Sequence, residues 1–182
     1  MKIKYETERL IIREWEETDS QDMFEYASDP EVTKFLHFSP HATPEVSRER
    51  IRLVRKQYEE HPILGDFCIE LKGENKVIGS IAINGYKEKN EGEIEIGYTL
   101  SRVFQGHGYM TEALIGMFKY IKRNKFAKRI VLGHDTANEK SGNVMKRAGM
   151  TFEGIMRKAG SNNFHSRYDI ARYSILDEEI EI

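Results

Sequence analysis

The stretch Glu93-Ile94-Glu95-Ile96-Gly97-Tyr98-Thr99-Leu100 alternates polar and apolar residues. A short connection leads from it into Gln105-Gly106-His107-Gly108-Tyr109-Met110-Thr111-Glu112-Ala113. The first run has the period of a strand, and the second opens a helical period that continues to about Lys125. A glycine-rich turn between a strand and a helix N-terminus is a phosphate cradle. Glycine allows φ > 0 and close approach of the backbone, and the first helical turn presents unpaired N–H groups at the positive end of the macrodipole. Three phosphate-binding patterns compete for it. A Walker A loop is excluded, because no Gly-Lys-Ser or Gly-Lys-Thr occurs. A dinucleotide fingerprint has Gly106 and Gly108 but Thr111 in its third position. The pattern Q/R-x-x-G-x-G/A fits Gln105 and Gly108 and departs at Met110, whose long side chain must turn away from any phosphate. An ordinary strand-to-helix turn is the fourth reading, and context has to decide.

The context is a chain of 182 residues, enough for a single domain spanning 1–182 with a core of its own. A net charge of −2 gives no electrostatic case for a nucleic-acid partner. No apolar run reaches the ~20 residues of a membrane span, and the N-terminus lacks a signal-peptide apolar core. Cys68 is the only cysteine, so no intrachain disulfide can form, which points to the cytoplasm. Its strand-like surroundings, Asp66-Phe67-Cys68-Ile69-Glu70-Leu71, favour a buried core residue over a nucleophile. None of the six histidines, His37, His41, His61, His107, His134 and His165, has metal-ligand spacing, so no metal is expected.

Outward from the turn, the pattern predicts a first strand at Leu10–Arg13 and a helix from Asp19 to about Leu36, broken at Asp29-Pro30. A second helix begins at Thr43-Pro44 with Val46, Ile51, Val54 and Tyr58 as its stripe. Strands at 66–71 and 76–86 flank a hairpin turn at Lys72–Asn75. The polar run from Lys87 to Gly92 leads into the strand at 93–101. Met110, Ala113, Leu114, Met117, Phe118 and Ile121 form the buried face of the next helix. Arg129–Leu132 reads as a strand parallel to 93–101, because a helix-length crossover joins them. A helix capped by Asn138 runs to Ala148, with Gly149 past its end, and two strands close the chain near 151–158 and 167–176. The fold class is α/β (α+β), with a mixed, mostly antiparallel central sheet holding one parallel pair and flanked by helices.

These segments carry a resemblance. Thr7-Glu8-Arg9-Leu10-Ile11-Ile12-Arg13, Val77-Ile78-Gly79-Ser80-Ile81, Glu95-Ile96-Gly97-Tyr98, the glycine turn, and Asn138 to Met150 followed by Glu153-Gly154 occur in the order of the GCN5-related N-acetyltransferases, or GNAT superfamily. Within it the chain resembles the RimJ/RimL-type branch. The resemblance implies acetyl-CoA as co-substrate and an amine as acceptor, either a protein N-terminal α-amine or a small amine. It also implies that the parallel pair splays apart, that a pantetheine arm lies along Tyr98, Thr99 and Leu100, and that Gln105, Gly106, His107, Gly108, Tyr109 and Met110 hold the pyrophosphate. A homodimer through the last two strands is a further implication.

A lysine-like amine has a pKa of about 10.4 and an α-amine about 7.7–8.0, so attack on a thioester benefits from a base. Glu95 is the candidate, with Glu93 on the same face two residues away. Glu95 reads equally well as a sheet residue that anchors backbone or water. A backbone N–H near Tyr98 suits the oxyanion. Many GNAT enzymes place a tyrosine seven residues after the asparagine of the second motif, where this chain has Met145. Ser141 is the substitute acid for the leaving thiolate, or a helix-start hydrogen-bonding residue. Asn138 either caps its helix or contacts the pantetheine. His37, Phe38 and Tyr86 fall where the branch builds its acceptor pocket. A non-catalytic acyl-CoA-binding or regulatory module is the alternative that the missing tyrosine motivates.

Overall fold

The computed structural model describes residues 2–61, 63–87, 92–161 and 166–182. Eight strands among them form one sheet in the order β1-β2-β3-β4-β5-β6-β8-β7. The strands are β1 (Ile3–Glu6), β2 (Leu10–Arg13), β3 (Gly65–Leu71), β4 (Lys76–Lys87), β5 (Glu93–Leu100), β6 (Arg129–Asp135), β7 (Thr151–Gly160) and β8 (Tyr168–Leu176). The helices are α1 (Ser20–Ala27), α2 (Pro30–Thr33), α3 (Pro44–Glu60), α4 (Tyr109–Arg123) and α5 (Glu139–Arg147). Every neighbouring pair of strands is antiparallel except β5 and β6. The expected class and the expected parallel pair are both present. Of the run from Lys87 to Gly92, residues 88–91 lie outside the described residues.

Period-two alternation sends successive side chains to opposite faces of the sheet. Phe67, Ile69 and Ile78 face one way, toward Leu114, Met117, Phe118 and Ile121 of α4 and Met145 of α5. Cys68 and Val77 face the other way, toward Trp15, Met23, Tyr26, Ala27, Ile51 and Val54, which α1 and α3 supply in part. The sheet is thus covered on both faces. Cys68 is fully buried and burial pushes its thiol well up, so it is a core residue. The α4 face is the one expected, Met110 included.

The sequence pattern and the structure differ at three places, each for a non-local reason. β1 was not expected, since Ile3–Glu6 offers only four residues. It is held by pairing to β2 and by the Tyr5 hydroxyl, which donates to the Ala113 carbonyl at 2.7 Å. The break expected at Asp29-Pro30 is present, where Asp29 caps a new start by accepting from the Glu31 N–H at 2.9 Å. On α3 the buried polar residue Ser47 replaces Val46, which is exposed. The Ser47 hydroxyl meets His41 Nδ1 at 2.7 Å. β6 continues past Leu132 to Asp135 because its ladder with β8 does, out to Asp135↔Ile170.

A buried ion cluster ties β2 to β3. The Arg13 guanidinium donates to both Asp19 carboxylate oxygens (2.7 and 2.9 Å) and to Glu70 (2.6 Å), with all three residues buried. Two carboxylates and one fork satisfy each other away from water. Arg13→Met would fit the space but strand both acids, and removing one partner of such a cluster costs about 3–5 kcal/mol. Urea unfolding of this variant should show that loss, and a change below about 1 kcal/mol would contradict the reading.

Candidate active site

The parallel ladder is short. Glu93 pairs with Arg129, Ile94 with Ile130 and Glu95 with Val131, and there it ends, although β5 runs on to Leu100 and β6 to Asp135. Beyond Glu95 the two strands part. Tyr98, Thr99 and Leu100 therefore keep their ladder to β4 on one side and none to β6 on the other.

Past Leu100 a 3₁₀ turn over Arg102–Phe104 delivers Gln105 and the two glycines. Gly106 has φ +87° and Gly108 φ +82°, the left-handed region that side chains disfavour. Gly108 is the N-cap of α4 and has no side chain to cap the helix, so the first-turn N–H groups receive no side-chain cap from that position. A methyl group at Gly106 would meet nothing within 4 Å, and one at Gly108 only an Arg9 nitrogen at 3.6 Å. The turn is an open bowl of N–H groups. Thr111, on the first turn of α4, has a buried hydroxyl without a hydrogen-bond partner among the described residues. An orphan hydroxyl, uncapped amides and open space fit a phosphate-bearing group. Met110 is buried and turned into the core, as its length required.

The bowl is braced from the turn between β1 and β2. The Arg9 guanidinium donates to Glu112 (2.7 Å) and to the His107 carbonyl (3.1 Å) and lies over the Tyr109 ring at 4.5 Å. The Arg9 backbone N–H and the Thr7 hydroxyl also donate to Glu112. His107 stacks on Tyr109, and Gln105 spends its amide on the Leu100 carbonyl and Lys140.

Across the gap, Asp135 turns the end of β6 into α5. Its carboxylate accepts from the Ala137 N–H, and the Asn138 side chain caps the helix by accepting from the Ser141 N–H at 3.3 Å. Ser141 Oγ lies 2.9 Å from the Tyr98 hydroxyl, which is also 3.0 Å from the Ser141 carbonyl. Burial pushes the Tyr98 phenol up, so it stays protonated.

Glu95 opens on a cleft of about 340 Å³ that His37, Gly133, His134, Tyr168 and Arg172 also line. Its Oε1 accepts from the Arg172 guanidinium at 2.6 Å. Glu93 differs. It is bound to Lys87 at 2.8 Å and Arg129 at 3.0 Å, and the Lys87 hydrogen bond foremost holds its carboxyl below the ordinary range. A carboxylate so engaged is the poorer base. The structure thus brings Glu95 and His37 together, and Tyr98 with Ser141. Phe38 packs tilted against the His41 ring, and Tyr86 pairs with Ile94; neither lines the cleft. Arg9, Thr111, His134 and Arg172 were missed as site-forming residues. His134 Nδ1 lies 2.7 Å from the Asp135 carbonyl, so it carries the proton, and its buried Nε2 has no partner among the described residues. Among the described residues no group of acids, histidines and cysteines could hold a metal ion.

A mixed sheet whose one parallel pair parts beside an anion-ready helix start is the architecture that the GNAT resemblance implied, and comparison with known proteins agrees. The family profile described as an acetyltransferase (GNAT) domain matches residues 9–151. Among similar proteins, the uncharacterized N-acetyltransferase YnaD of Bacillus subtilis is 30% identical over 173 residues, 95% of this chain and 96% of that one. The alanine N-acetyltransferase of ribosomal protein uS5 in Escherichia coli is 24% identical, over 86% of this chain and 82% of its own. A GNAT acetyltransferase structure from Bacillus anthracis superposes with a TM-score of 0.84 at 30% identity, covering 98% of this chain and all of that one. RimL, an acetyltransferase of the ribosomal protein L7/L12 α-amine solved with coenzyme A, shares the fold at 22% identity and TM-score 0.83, with 97% and 99% covered. The chain belongs to the GNAT family. It is an acetyltransferase, related to the RimJ/RimL-type enzymes.

Two outcomes test the cradle. Thr111→Val removes a hydroxyl that has no hydrogen-bond partner among the described residues, so stability should hold. Affinity for acetyl-CoA, measured by calorimetry, should fall on the order of five-fold, one hydrogen bond of about 1 kcal/mol. Unchanged affinity would exclude the hydroxyl from the site. Glu112 is pushed up by burial, but Thr7 and Arg9 outweigh this and hold it below the ordinary value. A depressed carboxyl stabilises at neutral pH, and the gain is lost as pH falls through its folded pKa. The wild type should therefore melt above Glu112→Gln at pH 7 and converge with it in acid. A gap independent of pH would contradict this.

Proposed function

We propose that the chain transfers an acetyl group from acetyl-CoA to a primary amine, with both bound together, and that the acceptor is a protein N-terminal α-amine or a small amine. The observation that carries this reading is the end of the β5–β6 ladder at Glu95. The same residue stands at the parting of the strands and on the wall of an open cleft. The cradle from Gln105 to Met110 would hold the pyrophosphate with backbone N–H groups, joined by the Thr111 hydroxyl. The free edge of Tyr98, Thr99 and Leu100 would pair with the amides of the pantetheine arm. Asn138 would adjoin that arm from the start of α5. The bound thioester supplies the acetyl group, and its C–S bond breaks as the C–N bond forms.

Glu95 takes the proton of the attacking amine, directly or through one water, and His37 lines the acceptor side. Phe38 and Tyr86 belong to a wider acceptor surface. Ser141 Oγ–H, held by Tyr98, supplies a proton to the departing thiolate. The relationship to the uS5 enzyme supports a protein N-terminus as acceptor. The buried single Cys68 supports a cytoplasmic setting, and no helix among the described residues is long and apolar enough to cross a membrane. Phe152, Ile155 and Met156 are exposed on the outer strand β7, which supports a homodimer through that edge. The chain acts as one domain.

The test is acetyl transfer to peptides with a free N-terminus, to the same peptides blocked, and to an aliphatic polyamine. Glu95→Gln should lower kcat about 100-fold at pH 7, the lower end of general-base effects. The loss should shrink above about pH 8, where an α-amine is already neutral. Full turnover by Glu95→Gln at pH 7 would remove Glu95 as base. Acetyl-CoA binding without transfer to any of the three acceptors would remove the acceptor class.

A further inference from the structure

Arg172 stands on β8, two strands away from Glu95. Its register partner on β6 is Gly133, while Glu95 on β5 pairs with Val131. To reach Glu95 the arginine must cross β6, a distance of two inter-strand spacings or roughly 10 Å between chain axes. It does so over Gly133. A methyl group there would stand 2.8 Å from Ile170 Cγ2, 3.1 Å from Arg172 Nη1 and 3.2 Å from its Cδ. Gly133 is not among the positive-φ glycines, so conformation does not demand it. Space does, for the Ile170 branch and for the crossing arm together. Val131 and Leu132, just before it, are buried residues with large side chains.

We infer that Arg172 is the positioning residue for Glu95, laid across Gly133 at the point where β5 and β6 part. This rests on the reading of Glu95 as the base. The Glu95 side chain is 46% exposed. Unheld, it would sample several rotamers and present neither oxygen consistently. The guanidinium binds Oε1 and fixes the carboxylate, leaving Oε2 for the acceptor amine or its water. Restricting a reacting group beforehand removes that entropy from the barrier. The gain is one of orientation. The contact is a single one, from Nη1 to Oε1, so a lysine ammonium at the same place would restore it in part. The pair lies on the rim of the cleft, where ion pairs add little to stability. A stability role therefore does not account for it.

A double-mutant cycle with Glu95→Gln and Arg172→Gln separates the two roles. Arg172→Gln should lower kcat about 10- to 100-fold, the scale of misplacing a reacting group, with the KM for acetyl-CoA unchanged. Arg172→Lys should recover part of it. In the Glu95→Gln background, Arg172→Gln should change kcat less than about two-fold, since there is no carboxylate left to orient. Gly133→Ala should reproduce part of the Arg172→Gln loss. An equal loss in both backgrounds, or full turnover by a folded Arg172→Gln, overturns the inference. Absence of acetyl transfer by the unaltered chain would instead defeat the acceptor reading, whereas transfer by the unaltered chain with full turnover by a folded Arg172→Gln defeats the role of the arginine alone.

Discussion

Backbone N–H and C=O groups of a strand must find partners, and β5 has them on one side only after Glu95. The early end of the parallel ladder is the constraint on which the rest of the structure depends. Had β6 followed β5 to Leu100, the edge of Tyr98, Thr99 and Leu100 would be consumed by the sheet. Different neighbours draw the two strands apart. β5 leads into the glycine turn and α4, while β6 is drawn toward β8, with which it pairs along its whole length. The mixed sheet is therefore not incidental. The antiparallel partner β8 pulls β6 away and also carries the arginine that reaches back across it.

The same constraint explains how far the amino-acid sequence could be read. The glycine turn was legible because it is local: two glycines, a strand period before them and a helix period after. The buried face of α4 and the cap at Asn138 are local too, and they are as expected. Arg172 was not legible, because its meaning depends on a register match with Gly133 that only the assembled sheet creates. Arg9 and Thr7 lie about a hundred positions from the turn they brace. β1 was missed for a similar reason, since its tie to α4 through Tyr5 has no trace in its own four residues. Val46 and Ser47 changed places because a hydroxyl met a histidine from a neighbouring loop, which periodicity does not count.

Two carboxylates two residues apart on one strand look equivalent in sequence, and the surroundings separate them. Glu93 sits at the start of the ladder, between Lys87 and Arg129, and is held as an ion. Glu95 sits at its end, with one cation on one oxygen and an open cleft before it. Chemistry favours the second position, because a group already bound by two cations has no oxygen to give to an amine.

Met145 is a buried part of the core, so α5 offers no hydroxyl at the place where many relatives carry a tyrosine. A phenol is nevertheless present on the opposite wall. Tyr98 extends from β5 to the first turn of α5 and touches both oxygens of Ser141. Its position depends on the parted strands, because a closed ladder would leave no gap for a ring to cross. With its proton held by burial, the phenol can donate to the Ser141 hydroxyl oxygen, which leaves the serine's own proton for the thiolate. That orients Ser141 without adding charge beside a departing thiolate. A thiolate with a pKa near 8.5 needs little help to leave, so a weak, well-placed hydroxyl suffices where a stronger acid would gain nothing. The gap between β5 and β6 then serves two purposes: it frees the strand edge along the donor, and it lets one wall of the site fix the other.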